Sequence, residues 1–120
     1  VPASRAGLPQ LQNGWFAVPD LGRMAAFNAR YRAAYGENPH DFATLAYDGV
    51  SAIAANVRAG RANAVTTAGL TRGAGFAGIQ GPFRLRPDGS NQRQLSVATL
   101  QGGKLVVIDP ARSSFGGFGF

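Results

Sequence analysis

The spacing of the apolar residues changes once along this chain, near residue 70, and that change limits the fold more than any other feature. Before it, apolar residues recur at helical intervals. Met24, Phe27, Tyr31 and Tyr35 are three or four positions apart, which sets them on one face of a helix from Leu21 to about Tyr35. Asp20 stands where an N-cap belongs, and Gly36 and Pro39 stop the helix. Asp41 opens a second helix, from Phe42 to about Ala59. Its apolar stripe is Phe42, Leu45, Ala46, Val50, Ile53, Ala54 and Val57, and Gly60 ends it. The short link Glu37–His40 makes the two helices neighbours. A weaker helical segment covers Ala62 to Leu70, and the apolar run Gly14–Val18, ended by Pro19, predicts a buried strand ahead of the helices.

After the change the chain alternates as strands do. Ile79, Phe83 and Leu85 flank Gly81-Pro82, and Pro87-Asp88-Gly89-Ser90 is a strong turn. Leu95, Val97 and Thr99 alternate with Gln94, Ser96 and Ala98. Gly102-Gly103 then turns the chain into Lys104–Ile108, which predicts a β-hairpin. Residues 1–13 read as an irregular lead-in and 111–120, rich in Gly, Ser and Phe, as a mobile tail. Strand, helix, helix, then strands is an α/β order. A lone hairpin beside two helices cannot cover both faces of its own sheet, so the pattern describes part of a larger α/β protein. Val1-Pro2-Ala3-Ser4, with no leader pattern, reads as the middle of a longer chain.

Composition narrows the chemistry. The 120 residues fit one domain or part of one, and a hydrophobic content of 45% is enough for a packed core. The absence of Cys excludes disulfides and thiolate metal sites but leaves the compartment open. No apolar run approaches the ~20 residues that span a bilayer. The net charge of +6 raises the question of nucleic acid. However, Arg30, Arg32, Arg58, Arg61, Arg72, Arg84, Arg86 and Arg93 are spread over every predicted element with no run of adjacent basic residues. A solvated basic surface is expected instead.

No catalytic constellation emerges. Gly73-Ala74-Gly75-Phe76-Ala77-Gly78 spells G-x-G-x-x-G, but a dinucleotide site needs a strand before it and a helix start after it. Here a weak helix precedes and a Gly-Pro strand follows, so a flexible loop is expected. His40, the only His, sits beside Asp41 without a motif-placed nucleophile, which predicts a capping or surface role. One His and no Cys leave no metal site. Of the carboxylates Asp20, Glu37, Asp41, Asp48, Asp88 and Asp109, Asp48 differs in lying inside the second helix, next to Tyr47. It is either a functional carboxylate or, as expected, a hydrogen-bonding group within the fold. Trp15, Phe16 and Phe42 are large aromatics near element ends. Core packing is the default for each and a cleft wall the alternative. No catalytic residue and no cofactor are assigned.

Ordered segments resemble a known family. Phe27 to Pro39 looks like the F-x-x-x-Y-x-x-x-Y-G-x-x-P helix end of the Leu/Ile/Val-binding family of periplasmic solute-binding proteins. Leu45-Ala46-Tyr47-Asp48-Gly49-Val50 is similar to its A-Y-D-A helix, with Gly49 for the usual Ala. Phe76 to Gly89 looks like its F-x-G-x-x-G-x-x-x-F-x-x-x-G strand and turn, with Leu85 where Phe is usual. Lys104-Leu105-Val106-Val107 resembles its closing strands. The resemblance implies a type I periplasmic-binding-protein fold, two α/β lobes that trap a ligand by hinge closure, of which this chain would be about the last third. Residues 14–86 would complete the first lobe, and 87–110 would form the crossover and closing hairpin of the second. The implied function is binding, not catalysis: an ABC importer's solute-binding protein in the periplasm, holding an amino acid or similar small molecule and docking on a membrane permease. No nucleic acid is implied. Apart from the resemblance, the uncovered apolar stripe from Phe42 to Val57 predicts that the segment alone either self-associates or exposes a large apolar face. The main binding loops would lie upstream. Phe42 looks like the aromatic that precedes the A-Y-D-A Tyr by five residues and lines the cleft in some members. A second branch of the family, the activators of penicillin-binding proteins, shares a W-F-A-x-P-D opening and an F-R-x-R-P-D-G turn. This chain has both, at Trp15–Asp20 and Phe83–Gly89, so the alternative is a periplasmic regulator that binds a protein partner.

Overall fold

The structure is a computed structural model and describes residues 5–115. The far end of the expected tail, 116–120, lies outside the described residues, as do the first four. After a 3-10 turn at Pro9–Leu11 come β1 (Trp15–Val18), α1 (Leu21–Tyr35), α2 (Ala43–Arg58) and a single-turn α3 (Thr67–Leu70). Then follow β2 (Phe83–Leu85), β3 (Asn91–Arg93), β4 (Ser96–Gln101) and β5 (Lys104–Asp109). The α/β order is as expected. The third helix is shorter than the Ala62–Leu70 anticipated, because Thr66 caps it late by accepting from the Gly69 N–H.

Helix α1 follows its sequence signals. The Asp20 carboxylate accepts from the Arg23 N–H at 3.0 Å, and Gly36 ends the helix in the left-handed region, φ 77°. The entrance to α2 differs from expectation. Asp41 provides no cap; Phe42 occupies the cap position without a side-chain bond. His40 does the local work instead, its Nδ1 accepting from the Phe42 N–H at 3.2 Å.

Two sheets form. In the first, β4 lies between β1 and β5, antiparallel to both, with Trp15 opposite Thr99 and Gln101 opposite Lys104. Gly102 and Gly103 both take positive φ, as a two-residue hairpin turn requires. The central strand is the buried one: Ala98 and Leu100 are fully enclosed. The alternation Leu95, Val97, Thr99 does not mark the core side, since Leu95 is exposed and Val97 half-buried while Ser96 is buried. Nor is β1 a buried strand. It is an edge, with Val18 enclosed and Trp15 79% exposed. The second sheet is the hairpin β2–β3, with Phe83 opposite Arg93 and Arg84 opposite Gln92. Phe76 pairs with Phe83 through two backbone bonds of 2.7 and 2.9 Å, which fastens the loop before β2 to its edge.

The largest departure concerns α2. Its buried residues are Thr44, Asp48, Ala52 and Asn56, one per turn, whereas Leu45, Val50, Ile53 and Val57 of the apolar stripe are exposed, Val50 at 69%. The small local core is Ala52, Phe76 and Phe83 with Leu70 and Leu85 packed against it. The accessible surface is 7990 Å², whereas a compact monomer of 12.5 kDa exposes about 6,200 Å². The radius of gyration is 16.5 Å against about 14 Å expected.

Candidate functional site

The buried face of α2 is a column of hydrogen bonds. Thr44 Oγ1 accepts from Gln80 Nε2 at 2.7 Å. Asp48 Oδ1 accepts from the Ile79 N–H at 2.7 Å, and its Oδ2 lies 3.5 Å from Arg93 Nη1. Asn56 Nδ2 donates to the carbonyls of Ala64 and Gly69, both at 3.0 Å. Three short polar side chains, with Ala52 filling the turn between Asp48 and Asn56, therefore clamp the segment from Ala64 to Gln80 along the helix. The Asp48 side chain is only 3% exposed, so this carboxylate is committed to the fold.

The same column explains Gly78, and β2 explains Gly75. A Cβ on Gly78 would stand 2.6 Å from Asp48 Oδ2 and 2.9 Å from the Phe83 ring, and one on Gly75 would collide with the Phe83 carbonyl. The G-x-G-x-x-G spelling thus marks close approach of backbone at two of its glycines, Gly78 to α2 and Gly75 to β2, whereas a Cβ on Gly73 would meet open space. It is a loop, as expected, but a packed one with backbone bonds at Phe76.

Among the described residues, three open concavities stand out. Between α1 and α2 lies a groove of about 570 Å³, walled by Phe27, Tyr31, Tyr35, Ala43, Ala46, Tyr47 and Val50, with Arg30 at its side. Its floor is aromatic: Phe27 meets Tyr47 edge-on at 5.3 Å, and Tyr31 meets Tyr35 at 4.6 Å. A second hollow, about 440 Å³, lies between α2 and the β2–β3 hairpin, walled by Leu45, Ile53, Leu70, Phe83 and Leu85 among others. The third, about 510 Å³, is formed by the lead-in and the β4–β5 turn, where Gln12 Oε1 accepts from the Gly103 N–H at 3.2 Å.

Phe42 sits at the entrance of α2, 68% exposed, with its ring 5.3 Å from that of His40. It is not a wall of the groove beside it and contributes little to the core. His40 is engaged by the Phe42 amide, and among the described residues no group of three or more His, Cys, Asp or Glu could hold a metal ion. Among the same residues no helix is long and apolar enough to cross a membrane. Residue-by-residue reasoning passed over Thr44, Asn56 and Gln80. The signal for two of them was available, since Thr44, Asp48 and Asn56 fall at multiples of four, the spacing of one helix face.

Comparison with known proteins fits this geometry to a class. The periplasmic binding protein family matches residues 3–104. The chain belongs to the periplasmic binding protein family, a family of binding proteins and not of enzymes. It is similar in structure to a Rhodospirillum rubrum protein described as a branched-chain amino acid ABC transporter. The two are 26% identical with a TM-score of 0.67, over 85% of this chain and 32% of that one. It is also similar to an ABC transporter solute-binding protein of R. palustris solved with benzoate, 25% identical with a TM-score of 0.52, over 94% of this chain and 34% of that one. The chain thus spans about a third of the length of these structures and matches part of their fold. No match is found among curated proteins.

Proposed function

We propose that this chain is the C-terminal part of a periplasmic solute-binding protein of the Leu/Ile/Val-binding kind, which delivers a small carboxylate to the permease of an ABC importer. The observation that carries the proposal is the family match over residues 3–104, on a chain whose α2 stripe faces outward as if awaiting cover. The ligands named for the two similar structures, a branched-chain amino acid and benzoate, share a carboxylate and an apolar body. The solvent-facing ring of Phe42 is suited to the apolar body, and the proposal gives it that role. In this proposal residues 14–86 and 87–110 contribute to different lobes, and the β1–β4–β5 sheet, drawn from both stretches, lies where the chain crosses between them.

The test is a thermal-shift and calorimetric panel of branched-chain amino acids and aromatic carboxylates on the intact protein. A raised Tm with saturable binding of one member is expected, and no response to any carboxylate would overturn the proposal. A second reading, a regulator resembling penicillin-binding protein activators, is favoured by one observation: Trp15 of the W-F-A-x-P-D segment presents its ring to solvent. Loss of penicillin-binding protein capture on Trp15→Ala, with no carboxylate bound, would select it.

A further inference from the structure

The β2–β3 hairpin sorts its side chains by parity. Phe83 and Leu85 belong to the hollow beside α2 together with Arg93, whose guanidinium lies 4.9 Å over the Phe83 ring and reaches Asp48. Arg84, Arg86 and Gln92 take the other face, and the register sets Arg84 opposite Gln92. There three guanidinium N–H groups end on one oxygen. Arg84 Nε and Nη2 donate to Gln92 Oε1 at 2.8 and 2.6 Å, and Arg86 Nη2 donates to the same atom at 3.0 Å.

Two full positive charges therefore converge on a neutral amide. Among the described residues neither arginine has a carboxylate oxygen within 4.0 Å; the ion pairs are Arg23 with Asp20 and Arg93 with Asp48. The hairpin's own carboxylate, Asp88, accepts from the Ser90 hydroxyl and amide at 2.6 and 2.8 Å. Those bonds, with a smaller pull from Arg86, hold its carboxyl below the ordinary value. An amide dipole offsets only part of the repulsion between two guanidinium ions, which bond more strongly to an ionised acceptor. Arg84 is fixed independently of Gln92, because its Nη1 donates to the Gly73 carbonyl at 3.2 Å and its guanidinium lies 4.9 Å over the Phe115 ring. Arg86 is exposed, so the cluster is open to solvent on that side.

We propose that Arg84 and Arg86 form a binding site for a phosphate-type dianion, with Gln92 Oε1 standing where a ligand oxygen goes. A dianion matches the two charges and offers an oxygen to each planar fork, which a single amide oxygen cannot do. Rotation of the Gln92 side chain clears the site. The site lies on the hairpin face turned away from α2, so it is separate from the solute cleft proposed for Phe42 and stands or falls without it.

Calorimetry and phosphorus NMR on the intact protein test this, with inorganic phosphate as probe and chloride at matched ionic strength as control. Saturable phosphate binding is expected, weakened roughly tenfold by Arg86→Ala, the fold-change of one charge-assisted hydrogen bond. Gln92→Glu supplies the missing carboxylate from within, so it should abolish phosphate binding and raise the Tm. Vesicles containing phosphatidic acid separate the sources. Vesicle binding that Gln92→Glu removes assigns a lipid headgroup, and phosphate binding without vesicle binding assigns the free ion. Phosphate acting no better than chloride, or binding undiminished in Gln92→Glu, would overturn the proposal.

Discussion

Phe42 shows how exposure can separate a ligand role from a packing role. With 68% of its surface open in this chain, its ring holds little of the local core. Phe42→Ala should therefore leave the Tm of the intact protein nearly unchanged. If ligand covers the ring, the same change should cost roughly 1–3 kcal/mol of binding, the value of one large apolar side chain. Calorimetry beside a melting curve checks both. A lowered Tm with unchanged affinity would assign the ring to packing against the rest of the protein. Phe42 could be singled out from its offset to Tyr47 in a family pattern. The His40 bond to its amide could not, because Asp41, one position on, is the commoner helix cap.

At the scale of elements, the period of the apolar residues located α1, α2 and the β4–β5 hairpin, but it did not reveal which face of α2 is inside. Apolar spacing marks a face that wants cover, and it points inward only when the cover belongs to the same chain. In α2 the cover within the chain is a loop of glycines and small residues, and polar side chains hold such a loop better than leucines do. Its backbone carbonyls and amides need partners, which Asn56 and Asp48 supply, while Thr44 holds the Gln80 side chain. The column also makes a prediction. Asp48→Ala removes the acceptor of the Ile79 amide and leaves Arg93 without its counter-ion, which should destabilise the protein by about 3 kcal/mol. Asp48→Asn keeps the acceptor of the Ile79 amide and should cost less. Chemical denaturation of both variants checks the order. The β2–β3 pairing was legible only as a turn, since three-residue strands are too short to set up an alternation.

For the whole molecule, the accessible surface exceeds that of a compact protein of this mass by about 1,800 Å², more than one partner contributes to an ordinary protein interface. The apolar stripe of α2 and the aromatic groove beside it belong to that open surface. The 120 residues on their own should therefore bind an apolar dye or self-associate, as sedimentation with dye titration will report. A compact monomer that leaves the dye dark would count against the cover inferred here. The order of the strands carries a further consequence, for the time course of folding. β4 and β5 are joined by two residues and can pair as soon as both exist. β1 is made early but finds its hydrogen-bonding partner only in β4, on the far side of every helix. Closing so long a loop costs entropy that a local hairpin does not, and the cost grows slowly, by about 0.6 kcal/mol per doubling of length. The edge carrying Trp15 is therefore the last to be zipped during synthesis, and the first to come loose if the closing hairpin is lost.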